Sequence, residues 1–266
     1  MLMNLLTHPM ARGLSPDDPN TTVVRRKIIK EKGVLSKLYG EWYRRLLEKI
    51  PEERCLGPML EIGSGGGFLK EFRSDCITSE VFHLPEIDFV LNAEELPFKS
   101  NSLGSILMVD VFHHIPDVYL FLTEAQRVLA PGGRIVMLEP WNTAWGRWVY
   151  KNLHPEPFLP ESERWALPST ENRDGPLSRA NGALPWIVFC RDRFKFTREF
   201  PFLQVEGIEL DYPFTYLLSG GVSMRSLCPG WSYAPLRFLE KILTPAMNSL
   251  AMFALISISV CKSKEA

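Results

Sequence analysis

The chain has 266 residues, of which 45% are hydrophobic and 23% charged, as in a folded globular protein with an ordinary core. Its 30 basic and 31 acidic residues leave a net charge of -1, which argues against nucleic acid as a partner. The five cysteines are scattered and form no CxxC pair. This usage argues against a zinc knuckle or a disulfide framework and is typical of the reducing cytoplasm, where we expect the protein.

Apolar segments lie near both ends of the chain. Residues 1–10 lack the basic start and the small-residue cleavage site of a signal peptide. Residues 242–261 contain no charge and are long enough to cross a bilayer, but a proline and several serines interrupt them and their end alternates like a strand. We expect a buried strand there and leave peripheral membrane contact open.

The first fifty residues differ in character from the rest of the chain. Residues 1–20 are rich in proline and predict an irregular arm, and residues 22–50 predict a helix with a weak break at Gly33, ended by Pro51. We therefore divide the chain into residues 1–50, an arm with a capping helix, and residues 51–266, one domain with an insertion at about 141–186.

Strand and helix patterns alternate from residue 59 to residue 140. Short apolar runs in this segment predict strands. The run 105–109 has no charge, which predicts a strand covered on both faces. The gap between the second and third predicted strands is too short for a helix. The alternation predicts a doubly wound, Rossmann-like α/β sheet. The predicted strands are residues 59–62, 77–82, 87–91, 105–109 and 135–138; the predicted helices begin at Phe68 and at Val118, the latter broken at Pro131-Gly132-Gly133.

The second half of the chain begins with a region rich in proline and tryptophan. Residues 140–185 predict an inserted lid that contains a helix over 144–153. Beyond it the patterns predict helices over 187–200 and 235–243, strands over 203–210 and 251–260, and between them a glycine-containing aromatic loop over 212–231.

The strongest single signal is a glycine loop between the first strand and the next predicted helix. It reads Glu61-Ile-Gly63-Ser64-Gly65-Gly-Gly67. Glycines at alternate positions let the backbone approach a ligand closely, although a turn without a ligand is the simpler alternative. A nicotinamide-binding loop would need glycine where Phe68 stands, and the Glu61 carboxylate suits an amine-bearing ligand better than a pyrophosphate.

This loop resembles the first motif of class I S-adenosylmethionine-dependent methyltransferases. Three later segments, residues 92–98, 110–115 and 127–134, resemble that family's next landmarks in order and spacing. They are most similar to the branch of quinone-biosynthesis and other small-molecule methyltransferases. The resemblance spans about residues 56–140 and implies a seven-stranded, mostly parallel sheet with an antiparallel C-terminal strand. It also implies S-adenosylmethionine as the cofactor.

The resemblance further implies which residues bind that cofactor. Glu61 and the loop residues Gly63, Ser64, Gly65 and Gly67 would lie against its methionine part. Glu80, at the end of the second strand, would hold both ribose hydroxyls, since a carboxylate accepts two hydrogen bonds well.

Residues elsewhere would complete the cofactor pocket. Asn92 and Ala93 would lie beside the adenine, with Asn92 standing where the family usually has aspartate. Asp110 would line the pocket near the sulfonium, and Tyr39 and Tyr43 of the N-terminal helix would close over the cofactor.

Methyl transfer needs alignment more than acid–base machinery, and a base is needed only for a hydroxyl or an enolisable carbon. His113, Glu139 and His154 are the candidates. Each has a structural alternative: His113 as a structural histidine after the fourth strand, Glu139 as a helix cap or ion-pair partner, and His154 as a surface-loop histidine. His113-His114 also suggests a metal, but adjacent residues on a strand point apart and no third ligand has metal spacing, so we predict none.

The acceptor is a small molecule that the sequence does not specify. The aromatic insertion suggests a partly hydrophobic one: a quinone precursor, a lipid or a glycan intermediate. Residues 173–182 and 219–225 are acceptor loops or plain turns, and the basic clusters at 25–27 and 191–195 are solvated helix faces. An inactive cofactor-binding accessory protein and a nicotinamide-dependent oxidoreductase remain alternative functions, and the oligomeric state is not predicted.

Overall fold

The computed structural model describes residues 6–50, 57–167 and 175–261, and within them seven strands form one sheet. The strands lie in the order β3-β2-β1-β4-β5-β7-β6. β7 is antiparallel to both β5 and β6, and the other neighbouring pairs are parallel, which confirms the predicted sheet. The strands are β1 (Met59–Ile62), β2 (Ile77–Glu80), β3 (Phe89–Val90), β4 (Leu103–Val109), β5 (Leu129–Pro140), β6 (Leu203–Asp211) and β7 (Phe253–Val260).

Most helices lie close to their predicted positions. They are α1 (Pro19–Glu31), α2 (Gly33–Glu48), α3 (Val118–Val128), α4 (Ala144–Leu153), α5 (Leu184–Trp186), α6 (Arg193–Glu199), α7 (Thr215–Ser219), α8 (Tyr233–Ile242) and α9 (Met247–Leu250). The start of α1 is determined locally, because Asp18 Oδ1 accepts the N–H of Asn20 and Pro19 occupies the first turn. Thr143 caps α4 in the same way through the N–H of Gly146.

Three predictions about helices were wrong in detail. The predicted helix after the glycine loop is a single 3-10 turn, Leu69–Glu71. The helix predicted over 187–200 begins as a π-helical segment, Ile187–Arg191, and becomes α-helical only at Arg193. The loop predicted over 212–231 contains the short helix α7. The segment at 131–133 belongs to β5, which begins directly after α3. Residues 1–5 of the predicted arm and Pro51 lie outside the described residues.

The centre of the sheet is buried on both faces, as its uncharged strands predicted. In β4 the consecutive residues Ile106 and Leu107 are at most 1% exposed, and in β5 the consecutive residues Ile135 and Val136 are fully buried. Alternate residues of a strand point to opposite faces, so burial of consecutive residues requires cover on both. α2 and α3 both contact β5 and supply part of that cover.

A buried ionic cluster joins α2 to the C-terminal half of the chain. Arg237 of α8 donates to Glu41 Oε1 of α2 at 2.7 Å and to Asp211 Oδ2 of β6 at 2.8 Å. Arg45 of α2 also donates to Asp211 Oδ2, at 2.6 Å. Because Arg237 is 6% exposed and paired in several directions, the cluster sets the position of α2 over the sheet edge. Among the described residues, no helix is long and apolar enough to cross a membrane.

Candidate active site

A cleft opens at the carboxyl edge of the sheet, where β1 and β4 end. The strand order reverses there, since β2 and β3 lie on one side of β1 while β4 and β5 lie on the other. Open α/β sheets bind ligands at such a switch point. The cleft is lined by the glycine loop, the ends of β2 and β4, α1, the inserted region and the loop after α7; among its lining residues are Gly63, Gly65, Glu80, Asp110, Tyr39, Arg25, His114, His154, Glu156, Tyr216 and Met252.

The glycine loop must be glycine for reasons of space as well as conformation. Gly63 has a φ of +69°, and a Cβ there would lie 2.4 Å from Val111 Cγ2. A Cβ on Gly67 would lie 1.9 Å from the hydroxyl oxygen of Tyr43. That hydroxyl accepts the N–H of Phe68 at 3.1 Å, so Tyr43 supports the loop from behind and does not line the cleft.

Glu80 and Gly65 meet at one wall of the cleft. Glu80 Oε2 accepts the Gly65 N–H at 3.1 Å, and Oε1 accepts the Val81 N–H at 2.9 Å. The side chain is buried, and this burial raises the pKa of Glu80 above its usual value. Each carboxylate oxygen has two lone pairs, so both oxygens can still accept from a diol. The geometry therefore fits the predicted ribose contact.

Glu61 lies beneath the loop and not among the lining residues. It is 3% exposed, and its Oε2 has no hydrogen-bond partner within the described part of the chain. Burial, reinforced by the nearby Glu80 charge, raises the pKa of Glu61 to about 7. Ser64 is also buried; its hydroxyl accepts the Ser79 N–H at 3.2 Å, which ties the loop to β2.

The remaining predicted cofactor residues divide into two groups. Tyr39 and Asp110 line the cleft, and Asp110 has a φ of +62°, which turns the chain sharply at the end of β4. Asn92 and Ala93 form a turn after β3 and are not among the lining residues; their contact with adenine stays a prediction.

Sequence reasoning missed the wall that α1 provides through Thr22, Arg25 and Ile29, because nothing in α1 itself indicates where it docks.

Two of the three candidate bases form a buried pair outside the cleft lining. His113 Nδ1 lies 2.7 Å from Glu139 Oε2, and Glu139 Oε1 accepts the N–H groups of Val111 and Phe112, both at 2.8 Å. Burial disfavours a charged His113, but its hydrogen bonds to Glu139 and Glu156 outweigh this and raise the pKa of His113 well above its usual value. A protonated imidazole cannot accept a proton, and neither side chain lines the cleft, so a role as base for either residue stays a prediction.

Glu156, three residues after the end of α4, is a further cleft residue that sequence reasoning missed. It lines the cleft and lies between three histidines: its Oε2 is 3.4 Å from His113 Nε2 and 3.8 Å from His154 Nδ1, and its Oε1 is 3.8 Å from His114 Nε2. These neighbours lie far from it in sequence except for His154, so spacing alone could not reveal them. Glu156 is thus a third group beside the paired histidines, brought there from a part of the chain that shows no metal-ligand spacing with them.

The paired histidines also point the same way, contrary to the argument from strand geometry. They belong to a 3-10 turn, Phe112–His114, and their ring centroids are 4.3 Å apart. His114 Nδ1 lies 2.9 Å from the Arg179 carbonyl oxygen, which only accepts, so Nδ1 carries the proton. Burial lowers the pKa of His114 to about 4 and keeps the ring neutral.

His154 and a glycine-containing loop face the space next to Glu80 and Asp110. His154 lines the cleft, and burial lowers its pKa below the usual value. Of the two possible acceptor loops, residues 219–225 contribute Gly220–Met224 to the lining, held by Lys32 Nζ, which donates to the Gly221 and Met224 carbonyl oxygens at 2.6 and 2.8 Å. The other, residues 173–182, contributes Leu177; Arg173 and Asp174 lie outside the described residues.

The fold and the site together define a class. Residues 67–137, from the glycine loop into β5, match the family described as Methyltransferase domain. The sheet order and the glycine loop after β1 agree with this match. The fold and the matched central segment thus resemble those of class I S-adenosylmethionine-dependent methyltransferases, and the Glu80–Gly65 wall fits the cofactor of that class.

Individual relatives match over short segments. The chain is 48% identical over 52 residues, 19% of its length and 20% of the other, to the probable phthiotriol/phenolphthiotriol dimycocerosates methyltransferase 2 of Mycobacterium ulcerans. It is 42% identical over 57 residues, 21% of each chain, to the ubiquinone/menaquinone biosynthesis C-methyltransferase of Brucella canis. The chain thus spans about a fifth of the length of the curated relatives that it matches.

Solved structures share the fold over most of the chain. A chain of the complex between the Haloferax volcanii Trm112 methyltransferase activator and the putative methyltransferase has a TM-score of 0.52 at 13% identity, covering 95% of this chain and 100% of the other. The S-adenosylmethionine-dependent methyltransferase of Thermotoga maritima, a possible histamine N-methyltransferase, has a TM-score of 0.50 at 18% identity, with 91% and 100% covered. At these identities the likeness concerns the fold.

Proposed function

We propose that the protein transfers a methyl group from S-adenosylmethionine to a small, partly hydrophobic molecule. The observation that carries this proposal is that one cleft is lined both by the Glu80–Gly65 wall and by residues from the second half of the chain, among them Tyr216 and Met252. The cofactor supplies an electrophilic methyl group on a sulfonium. The residues of the chain align the two ligands and exclude water from the space between them.

The lining of the cleft supports a partly apolar acceptor. Leu153, Leu217, Val222 and Met252 lie in the same cleft as Asp110, so an apolar body with one polar group would match it. Two relatives are named for quinone and lipid substrates, and we propose an acceptor of that kind. Of the three candidate bases only His154 lines the cleft, and we assign it the proton of an acceptor hydroxyl or enolisable carbon.

Transfer of a tritiated methyl group tests this function. The purified chain is incubated with labelled cofactor and cell extract, and label is counted in the organic-soluble fraction. We expect incorporation with the wild type and with Glu163→Gln, an exposed control, and its loss with Glu80→Ala. A wild type that binds the cofactor and labels no fraction would favour the inactive accessory protein instead.

An exposed apolar surface supports peripheral contact with a membrane that carries such an acceptor. Trp231, Phe238 and Ile242 are 76%, 68% and 59% exposed, the last two on α8. An amphipathic helix of this kind suits the interface of a bilayer. Flotation with anionic liposomes tests it: Phe238→Ser should reduce co-flotation, and wild type left at the bottom would rule this contact out.

A further inference from the structure

His113, His114 and Glu156 form a cluster that the proposed transfer does not use. Nε2 of each histidine faces the Glu156 carboxylate, at 3.4 Å for His113 and 3.8 Å for His114. One nitrogen from each ring and one carboxylate oxygen all lie within 4.8 Å of one another. Zinc ligands at 2.0–2.1 Å in a tetrahedron lie about 3.3 Å apart, so small movements would bring these three atoms onto one ion.

The outer nitrogens of both rings are already held as metal ligands require. His113 Nδ1 lies 2.7 Å from the Glu139 carboxylate, and His114 Nδ1 lies 2.9 Å from the Arg179 carbonyl oxygen. A metal-bound histidine donates its second N–H to just such a carboxylate or carbonyl, which fixes the ring and directs its other nitrogen to the ion. A cluster serving only as an ion pair would not need both Nε2 atoms directed at one carboxylate.

We propose that His113 Nε2, His114 Nε2 and a carboxylate oxygen of Glu156 bind a divalent transition metal of the zinc type. Two imidazoles and one carboxylate are a ligand set that zinc takes when a fourth position stays open. His114 and Glu156 line the cleft, so the ion can enter from it and the open position faces it. The metal would take the place of the proton between His113 Nε2 and Glu156, and this proton would leave to solvent.

The open position would take an oxygen atom, from water or from the acceptor. An acceptor hydroxyl held there would be aligned and made more acidic, as metal-bound oxygens are. This role rests on the proposed function; metal binding itself does not. The test therefore measures the metal alone, with no cofactor or acceptor present, so that failure of one proposal is distinguishable from failure of the other.

The experiment uses the full chain, freed of metal with a chelator and titrated with Co²⁺ and Zn²⁺. We expect one equivalent of Co²⁺ to give visible bands typical of nitrogen and oxygen ligands, and Zn²⁺ to displace it. His114→Ala and Glu156→Gln should each weaken binding at least about 100-fold, and Glu139→Gln about 10- to 100-fold. His83→Ala, an exposed histidine elsewhere, is the matched control and should bind as the wild type does.

The conservative Glu156→Gln variant keeps the size of the side chain, and circular dichroism checks that it and His114→Ala are folded. Folded variants that bind as tightly as the wild type would overturn the proposal. So would a cobalt spectrum dominated by sulfur-to-metal charge transfer, since that would place the ion on cysteine, or the absence of any bound equivalent in the wild type.

Discussion

The carboxylate of Glu139 lies 2.7 Å from His113 Nδ1, and both side chains are buried beneath the 3-10 turn that follows β4. The second oxygen of Glu139 accepts two backbone N–H groups of that turn. One side chain from the end of β5 thereby fixes both the path of the turn and the direction of the His113 ring.

Removing this carboxylate should be costly. Glu139→Ala leaves two backbone donors and the Nδ1 atom of the buried His113 ring without their partner, and we expect it to lower the free energy of unfolding by about 3–5 kcal/mol. Glu139→Gln can still accept from the two N–H groups and should lose less. Urea denaturation measures both, with exposed Glu163→Ala expected within about 0.5 kcal/mol of wild type. Equal losses for the two Glu139 variants would contradict the role given to its backbone contacts.

Cofactor affinity should depend on Glu80 and little on Asn92. Glu80 lines the cleft, whereas Asn92 is not among the lining residues. We expect Glu80→Ala to raise the dissociation constant for S-adenosylmethionine and its demethylated product at least about tenfold, the value of one charged hydrogen bond. Calorimetric titration measures it. If Asn92→Ala raised the dissociation constant more than Glu80→Ala does, the adenine would have to bind at the turn after β3, contrary to this prediction.

Gly67 and Tyr43 should be coupled. A Cβ at residue 67 would overlap the Tyr43 hydroxyl, so Gly67→Ala should destabilise the fold by about 1–3 kcal/mol. Tyr43→Phe removes that oxygen, and the double variant should be more stable than the sum of the single changes predicts. Thermal unfolding gives the four values of the cycle. Gly66→Ala is the matched control, because the nearest neighbour of its Cβ would be the flexible end of Ile29 at 3.3 Å. Strict additivity of the two changes would refute the Gly67–Tyr43 contact.

Glu61 should make stability depend on pH. Burial raises its pKa in the folded chain to about 7, above the usual 4.5. Folding therefore favours the neutral carboxyl, and its contribution to the free energy of unfolding is fully present below about pH 4.5. This contribution is lost as the pH rises to and through about 7, and the loss amounts to about 3 kcal/mol. Glu61→Gln should remove it. Urea midpoints of both proteins across this range test the prediction, and parallel profiles would disprove it.

Lys32 should hold in place the loop, residues 219–225, that lines one side of the cleft. Lys32 is 8% exposed, and its ammonium group donates to two loop carbonyl oxygens. Lys32→Met leaves both acceptors without their charged donor, so we expect about 2 kcal/mol less stability. We also expect faster hydrogen exchange in residues 219–225, followed by mass spectrometry. Lys27→Met, on an exposed side chain of α1, is the control, and unchanged exchange in the Lys32 variant would speak against the tether.

Local patterns carried most of the fold prediction. Periodicity, caps and glycine spacing are short-range properties that can be recognised within one segment of the chain. They were sufficient to predict the central strands of the sheet, the helix over 144–153 and the glycine loop. The length of the helix after the glycine loop could not be predicted in this way. Phe68 is followed there by a short 3-10 turn, and its N–H donates to the Tyr43 hydroxyl. Tertiary contact there overrode local preference.

The sequence by itself determined the sheet class and the residues at the carboxyl ends of its strands, because strand order brings those ends together whatever the loops do. Only the tertiary structure decided which distant groups meet there. Glu156 reaches His113 and His114 from the inserted region, and Lys32 reaches the loop of Gly221 and Met224. Such contacts depend on how helices and loops dock on the sheet, and docking is settled by packing over the whole surface and not by spacing along the chain.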